Sequence, residues 1–399
     1  MRIGKELVVG IAVGWLCIGL LTSCNRSEMA DDYYFPLPED RSVVMEAGGQ
    51  SFVADTVLTD LEKPYSFVFL QDGRVLITER AGAIQVVRNG VVQETPVEGP
   101  LPTGLRDIEL HPNYEQNGWI YISWYQEPDE EDGGYYRLTR GLLDGNRWVN
   151  QEHLYQAGPF ELSGSHTVSR IEFDREGYLY LLVPIRGDRM RAQDRLHQSG
   201  TTMRFQDDGS IPEDNPFVGR DDALPEIYTW GHREHQGLQL HPETGELWSI
   251  ELGEYGGDEL NILKPGRNYG WPLASYSVEY RDQETRIGED PSTMEGEGLE
   301  PPIHHWTPSI VPSGFTFITS DRYPTWKGSI LVTSLSHIVP VDAPERLLNL
   351  SILDGEKVVS DEVVIEAEGR TRTVKEGPDG YIYFLEENDG VMVRLLPVE

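Results

Sequence analysis

Glu176-Gly177 followed by Tyr178-Leu179-Tyr180-Leu181-Leu182-Val183 is the stretch that decides the fold. A turn that contains glycine leads into a run of aromatic and branched apolar residues, and this pattern predicts a β-hairpin. The pattern occurs six times along the chain. The six turn pairs are Asp72-Gly73, Asn117-Gly118, Glu176-Gly177, Thr244-Gly245, Lys327-Gly328 and Asp379-Gly380.

The spacing of these units favours a closed ring of similar sheets. The turn glycines are separated by 45, 59, 68, 83 and 52 residues. These intervals are too irregular for a solenoid, but they suit propeller blades with loop insertions. A pair of β-sandwiches is the alternative, yet six similar units without a linker favour one ring. We therefore predict an all-β, six-bladed β-propeller.

The N-terminal region supplies a candidate strand for closing the ring. Residues 51–58 alternate as a strand does and precede the first hairpin, whereas residues 381–395 offer partner strands at the C-terminal end. We expect this N-terminal strand to complete the last blade, within a propeller that covers residues 49–399. Residues 24–48 are rich in Asp, Glu and Pro, and their composition predicts a tether.

The first residues have the order of an export signal. Arg2 and Lys5 precede a mostly apolar run over residues 7–21, and Leu21-Thr22-Ser23-Cys24 follows. This ending resembles the bacterial lipoprotein box, which implies cleavage after residue 23 and acylation of Cys24. An uncleaved N-terminal anchor is the alternative. Either interpretation predicts an exported protein, on the periplasmic side of a membrane or at the cell surface.

The cysteine content predicts a fold without disulfides, and the charge argues against anionic partners. The other cysteine, Cys17, lies inside the signal, so the mature chain is predicted to fold without a disulfide. The whole chain has 33 basic and 67 acidic residues and a net charge of -34. Such a surface repels nucleic acid and anionic lipid headgroups. We expect no nucleic-acid partner, and membrane attachment only through the lipid on Cys24.

Three glycine-rich segments between the predicted blades carry the candidate chemistry. They cover residues 231–237, 253–261 and 266–272. With further motifs at 104–112, 166–170, 208–217, 312–314 and 377–380, the chain resembles the soluble quinoprotein glucose dehydrogenase and sorbosone dehydrogenase family from about residue 61 to residue 397. Members of that family are six-bladed propellers that bind pyrroloquinoline quinone (PQQ) and calcium.

The resemblance implies a role for each matching residue. His166 corresponds to the family's catalytic base, and a base near neutral pKa suits removal of a hydroxyl proton. Arg233 corresponds to the arginine over the quinone oxygens. Arg370 and Arg372 correspond to the pair that grips the cofactor, because an arginine fork matches a planar carboxylate.

The implied calcium site lies in the second segment. The family's Gly-Pro pair, whose carbonyls help to hold calcium, corresponds to Gly253 and Glu254, and calcium prefers oxygen ligands of this kind. Glu254 in place of the proline either adds a carboxylate ligand or disrupts the turn. Asp258 corresponds to an acid of the family's catalytic site.

The chain departs from the family at several positions. The family's Gly-His-Arg-Asn-Pro-Gln-Gly is changed here at Glu234 and His235, and Glu234 would repel an anionic quinone. The acid that orients the histidine corresponds to Ile185, or to Asp188 if the alignment slips by three residues.

Two functions of different classes follow. The first is a PQQ- and calcium-dependent dehydrogenase that oxidises a sugar or polyol outside the cytoplasm and passes electrons to an acceptor. The second is a non-catalytic propeller that binds a glycan, a metal or a protein partner. His166, Arg233, Arg370 and Arg372 favour the enzyme, whereas Glu234 and Glu254 favour the binding protein.

Overall fold

A computed structural model describes residues 34–38, 43–127, 133–160, 167–294, 298–335 and 347–398. Over these residues the chain forms 25 strands in six antiparallel sheets, one of five strands and five of four. Helical structure there is confined to two four-residue helices, α1 (Tyr114–Asn117) and α2 (Pro291–Met294), and to a 3-10 turn at Arg189–Gln193. The fold is therefore all-β, as the sequence predicts.

The strands follow one another in blade order along the chain. The N-terminal pair and the first two blades comprise β1 (Met45–Ala47), β2 (Gln50–Leu58), β3 (Pro64–Phe69), β4 (Arg74–Glu79), β5 (Ile84–Arg88), β6 (Val91–Val92), β7 (Leu105–Leu110), β8 (Ile120–Gln126), β9 (Gly134–Asp144) and β10 (Arg147–Phe160). The third and fourth blades comprise β11 (Ile171–Phe173), β12 (Leu179–Val183), β13 (Thr201–Phe205), β14 (Ile227–Trp230), β15 (Glu234–Leu240), β16 (Leu247–Leu252), β17 (Asp258–Leu263) and β18 (His304–Trp306). The last two comprise β19 (Pro312–Phe317), β20 (Ile330–Ser334), β21 (Leu348–Asp354), β22 (Lys357–Ile365), β23 (Thr371–Glu376), β24 (Ile382–Glu386) and β25 (Val391–Pro397).

Each of the six predicted turns joins the innermost strand of one blade to the second strand of that blade. The turn glycines all have positive φ, between 70° and 87°. Glycine reaches this region without the steric cost that a Cβ atom imposes. The innermost strands β3, β7, β11, β15, β19 and β23 contact one another in sequence, and β23 contacts β3. The six repeats therefore form one closed ring, which confirms the predicted propeller.

The N-terminal strand closes this ring. β2 pairs antiparallel with β25, from Phe52 opposite Pro397 to Leu58 opposite Met392. The last sheet has the order β1-β2-β25-β24-β23, so both ends of the chain share one blade. The predicted closing strand is confirmed, and it begins one residue earlier than the sequence pattern suggests.

Part of the predicted tether belongs to the folded body. β1 lies inside residues 24–48 and pairs with β2, and the Ala47 carbonyl accepts a hydrogen bond of 2.9 Å from Trp326 Nε1. Tyr34 and Phe35 are buried. The predicted boundary at residue 48 is wrong for these residues, because their apolar side chains pack on the ring. Cys24 and the predicted signal lie outside the described residues.

The core consists of apolar layers between neighbouring blades. Val68 and Leu76 of the first blade, for example, pack with Leu105, Ile108 and Ile120 of the second. Every sheet is covered on both faces, so central strands such as β12 are buried at each position. This explains why the sequence shows continuous apolar runs here rather than alternation.

Arg170 ties four blades together at the axis. Its Nε donates to the Gln236 carbonyl at 2.9 Å, and its Nη2 donates to the Ser313 carbonyl at 2.9 Å and to the Arg372 carbonyl at 2.5 Å. Its Nη1 donates to Thr373 Oγ1 at 2.7 Å. Arg170 precedes β11 in the third blade, whereas its partners belong to the fourth, fifth and sixth. Within the described residues, no helix has the length and apolar character needed to cross a membrane.

Candidate active site

One face of the ring collects the residues that start the innermost strands. Every blade begins with its innermost strand, and these strands run in the same direction along the axis, so their first residues share a face. Tyr65, Arg106, Arg233 and Arg372 each lie at or next to such a start. All four are buried. Residues far apart in sequence thereby meet around the axis.

The Tyr65 ring is the centre of an arginine cluster. The guanidinium carbon of Arg170 lies 4.8 Å from the ring centroid, that of Arg372 lies 5.5 Å away, and that of Arg106 lies 5.7 Å away. Cations over an aromatic face gain a favourable electrostatic contact. This contact offsets part of the repulsion between the three positive groups.

Glu387 neutralises part of this charge. Its carboxylate accepts hydrogen bonds from Arg372 Nε at 2.5 Å, Arg80 Nη1 at 2.8 Å and Arg370 Nε at 3.3 Å. Burial alone would raise the pKa of Glu387, but Arg372 and Arg80 together lower it to about 2. One carboxylate thus faces three guanidinium groups, and positive charge remains for an anionic ligand.

Arg106 anchors the chain next to the predicted base. Its Nε donates to the Thr167 carbonyl at 2.7 Å, one residue after His166. Its Nη1 donates to the Gly104 carbonyl at 2.9 Å and to the Leu105 carbonyl at 3.0 Å. Burial lowers the pKa of Arg106, although Tyr65 opposes this effect. His166 itself lies outside the described residues, so its predicted role is tested only by experiment.

Arg233 lies between two carboxylates. Its Nη1 is 3.7 Å from Glu234 Oε2, and its Nε is 3.9 Å from Glu254 Oε2. Its Nη1 also donates to the Leu252 carbonyl at 2.8 Å, and its guanidinium carbon lies 5.5 Å from the Trp271 ring. Arg233 therefore lies at the axial face, but Glu234 and Glu254 reduce its positive field.

The predicted metal pair, Gly253 and Glu254, forms a tight buried turn. The Gly253 amide donates to Asp258 Oδ1 at 2.9 Å, and the Glu254 amide donates to Ser277 Oγ at 3.0 Å. The turn is thus intact without a proline. The Glu254 carboxylate accepts a hydrogen bond of 2.9 Å from Arg189 Nη2. Because that ion pair uses the carboxylate, Glu254 fits a calcium site through its backbone carbonyl rather than its side chain.

Asp258 fixes the turn at Gly253 and Glu254 through hydrogen bonds. Besides the Gly253 amide, it accepts hydrogen bonds from Ser309 Oγ at 2.7 Å and from the Ile310 and Val311 amides at 2.7 and 3.1 Å. Burial raises the pKa of Asp258 to about 6 even though these donors lower it. Four donors occupy its two oxygens. These contacts hold Asp258 against the turn, and its predicted catalytic role stays a prediction.

Ile185 and Asp188 are the two candidate positions for the acid that orients His166, and they lie in different environments. Ile185 is buried, and its amide donates to the Arg233 carbonyl at 2.8 Å. Ile185 therefore lies next to Arg233 in the candidate site, but its side chain is apolar. Asp188 is exposed, and its Oδ1 accepts the Met190 amide at 2.9 Å as the cap of the 3-10 turn. The Asp188 carboxylate is already used in a local turn.

The sequence predicted Arg233, Arg370 and Arg372, but it did not predict the groups that surround Arg370 and Arg372. Tyr65, Arg106 and Glu387 complete the cluster. Arg106 lies in the Gly104–Ile108 motif, which signals its importance once the resemblance is recognised. Glu387 directly follows β24 of the last blade, where the sequence marks only a strand end. No local signal links Glu387 to Arg80, which is 307 residues away.

Together, the fold and the site define a six-bladed β-propeller with a cationic cluster at the axial face where the innermost strands begin. The chain belongs to the Glucose / Sorbosone dehydrogenase family, whose model matches residues 61–394. It is 32% identical to the aldose sugar dehydrogenase YliI of Escherichia coli over 355 residues, which cover 86% of this chain and 92% of that protein.

Solved structures agree with this assignment. A glucose dehydrogenase structure aligns with a TM-score of 0.79 at 32% identity and covers 87% of this chain and 100% of its own. The PQQ-bound form of an aldose sugar dehydrogenase from Streptomyces coelicolor aligns with a TM-score of 0.65 at 25% identity, over 86% of this chain and 96% of its own. The family membership predicted from the motifs is confirmed.

Proposed function

We propose that the protein is a PQQ- and calcium-dependent dehydrogenase that oxidises a hydroxyl of a sugar or polyol outside the cytoplasm. Family membership supports a sugar dehydrogenase-like oxidoreductase, and a PQQ-bound structural neighbour supports the cofactor. The observation that carries the proposal is the cluster of Arg80, Arg370 and Arg372 around a single carboxylate.

The donor chemistry of this cluster fits PQQ. The cofactor carries three carboxylates, and arginine forks bind carboxylates with two parallel hydrogen bonds. The excess positive charge lies on the side of Arg370 and Arg372, whereas Arg233 is flanked by Glu234 and Glu254. We infer that Arg370 and Arg372 would hold cofactor carboxylates and that Arg233 would contact the quinone oxygens, as the family resemblance implies.

Each remaining residue has a separate task. PQQ, when bound, accepts the hydride equivalent that the substrate carbon loses. His166 takes the proton of the substrate hydroxyl as general base. Arg106 fixes the backbone next to His166 through the Thr167 carbonyl. Asp258 maintains the turn at Gly253, whose carbonyl and that of Glu254 are the oxygen ligands offered to calcium.

The predicted N-terminal signal supports a reaction outside the cytoplasm. Acylated Cys24 holds the propeller at a membrane surface, on the periplasmic side or at the cell surface. The electrons removed from the substrate would go to a membrane carrier or a soluble acceptor. The acidic surface accords with a small neutral substrate rather than a polyanionic one.

Reconstitution tests the proposal directly. Purified apo-protein is mixed with PQQ, with and without calcium, and PQQ binding is followed by its absorbance. Reduction of an artificial dye is then measured with a panel of aldoses and polyols. We expect PQQ to bind in the presence of calcium and at least one sugar or polyol to be oxidised.

The outcomes separate the parts of the proposal. Binding of PQQ without oxidation of any aldose or polyol contradicts the substrate class alone. Equal binding without calcium contradicts the metal requirement. Absence of PQQ binding overturns the proposal, because Glu234 then closes the site to the cofactor, and the non-catalytic propeller becomes the function.

A further inference from the structure

A buried cluster of two histidines and a glutamate lies behind Arg233. His232 and His235 are fully buried, and Glu251 is 4% exposed. The His232 and His235 ring centroids are 4.0 Å apart. Glu251 Oε1 lies 2.6 Å from His232 Nδ1 and 3.9 Å from His235 Nδ1. Each residue offers one potential ligand atom, and these three atoms all lie within 4.8 Å of one another.

His235 is the unusual member of this cluster. Neither of its ring nitrogens has a hydrogen-bond partner in the part of the chain that the structure describes. His232 differs, because its Nε2 pairs with Thr229 Oγ1 at 2.9 Å and its Nδ1 pairs with Glu251. Buried polar atoms are nearly always paired, so an orphaned imidazole aimed at a carboxylate points to a missing ligand.

We propose that His232, His235 and Glu251 bind a zinc-class divalent transition metal. Two imidazoles and one carboxylate form a donor set that zinc uses in three-ligand protein sites, with water as the fourth ligand. Tetrahedral ligands at zinc distances are about 3.3 Å apart. The distances of 2.6 and 3.9 Å bracket this value, so small side-chain movements complete the geometry.

The surroundings suit such an ion. Both imidazoles are buried, and within the described residues neither ring nitrogen of His235 has a hydrogen-bond partner, so this ring can offer a lone pair to an ion. The nitrogen donors favour zinc over calcium, which prefers oxygen ligands.

The metal would fix the position of Arg233. Glu251 Oε2 accepts the Arg233 amide at 3.0 Å, while Oε1 faces the two histidines. An ion on Oε1 therefore links the two histidines to the backbone that carries Arg233 to the axial face. His235 stands where the family motif has proline, so the third ligand is a feature of this chain.

Metal analysis tests this site without PQQ or a sugar, so its result is independent of the proposed dehydrogenase activity. The protein is purified from zinc-supplemented cells, and its zinc content is measured by mass spectrometry. Zinc is then exchanged for cobalt, whose visible spectrum reports tetrahedral nitrogen and oxygen ligands. We expect one equivalent of zinc per chain and a tetrahedral cobalt spectrum.

Variants identify the ligands. His235→Ala is expected to weaken zinc binding by more than about 100-fold, since removal of even an outer partner of a metal ligand costs 10- to 100-fold. The control His153→Ala, on an exposed part of β10, is expected to bind as wild type does. Wild-type protein without stoichiometric zinc or a tetrahedral cobalt spectrum overturns the proposal. So does a cobalt spectrum that His235→Ala leaves unchanged.

Discussion

At the scale of single residues, Glu387 controls the charge of the axial face. It is paired with Arg80, Arg370 and Arg372, and its side chain is only 5% exposed. Buried charge pairs depend on both partners, because removal of one leaves the other charge in a poorly solvated place. The same carboxylate therefore supports the fold and limits the positive charge available to a ligand.

The lowered pKa of Glu387 makes part of the stability depend on pH. Its folded pKa of about 2 lies below its usual 4.5, so its contribution is complete above pH 4.5 and disappears as the pH falls toward 2. We expect Glu387→Gln to lose roughly 3 kcal/mol of unfolding free energy at pH 7 and much less at pH 2.5. Urea denaturation at both pH values measures this.

The exposed hairpin residue Glu356 supplies the control. Glu356→Gln is expected to follow the wild type at each pH. A difference between wild type and Glu387→Gln that stays constant from pH 7 to pH 2.5 would contradict the assigned pairing.

The proposed base and the proposed cofactor grip have separate kinetic signatures. His166→Ala is expected to lower turnover by roughly 100-fold or more while PQQ still binds, because general bases contribute about that much. Arg372→Ala is expected instead to weaken PQQ binding, because a cofactor carboxylate loses its charged partner. Turnover at saturating sugar and a PQQ titration distinguish the two. Equal loss of PQQ affinity in both variants would contradict the assignment.

At the scale of elements, the innermost strands do more than line the axis. Each begins at the face that carries the site, and contacts between their first residues connect neighbouring blades. Arg170, just before β11, donates to carbonyls or hydroxyls of three other blades. Hydrogen bonds between blades thus fix the relative positions of the strands that present the arginines.

We predict that Arg170→Met destabilises the whole ring. The substitution keeps most of the side-chain volume but leaves the Gln236 and Ser313 carbonyls and the Asp107 carboxylate without this partner. Loss of one member of a buried charged network costs roughly 3–5 kcal/mol. The urea midpoint of purified Arg170→Met measures the effect. An unchanged midpoint would show that the blades dock without this residue.

At the scale of the whole molecule, stability depends on joining the two ends of the chain. β2 lies between β1 and β25, and the Ala47 carbonyl near the N-terminal end accepts Trp326 Nε1 in the fifth blade. β1 and β2 cover the edge of β25, and uncovered sheet edges pair with other molecules. Residues 45–58, which include β1 and β2, are therefore structural.

Truncation tests this closure. A chain that begins at residue 59 lacks β1 and β2, and we expect it to unfold at a lower urea concentration and to aggregate through the edge of β25. A chain that begins at residue 34 keeps these strands and is expected to match the intact protein. Size-exclusion chromatography and urea denaturation compare the two. Monomeric, equally stable protein from residue 59 would contradict strand closure.

Membrane attachment also concerns the whole molecule. If Cys24 is acylated, Cys24→Ser is expected to move the protein from the membrane fraction to the soluble fraction, because the lipid anchor is lost. Fractionation of cells with antibody detection measures this. A Cys24→Ser protein that stays entirely with the membrane contradicts the lipoprotein prediction and favours an uncleaved anchor.

The sequence by itself determined the propeller and predicted several residues of the candidate site. Each hairpin is a local event, in which a glycine turn leads into an apolar strand, so six turns could be read directly. Strand closure followed from a single unpaired N-terminal strand. The motifs also predicted Arg233, Arg370 and Arg372, because each of them matches a position of the family's motifs.

Only the tertiary structure decided which groups these residues meet. The pairing of Glu387 with Arg80, the use of the Glu254 carboxylate by Arg189, and the unpaired ring of His235 each join or isolate groups across blades or loops. Burial and distance determine whether a carboxylate binds a metal, an arginine or a backbone amide. Those quantities arise when the ring closes, so no local pattern encodes them.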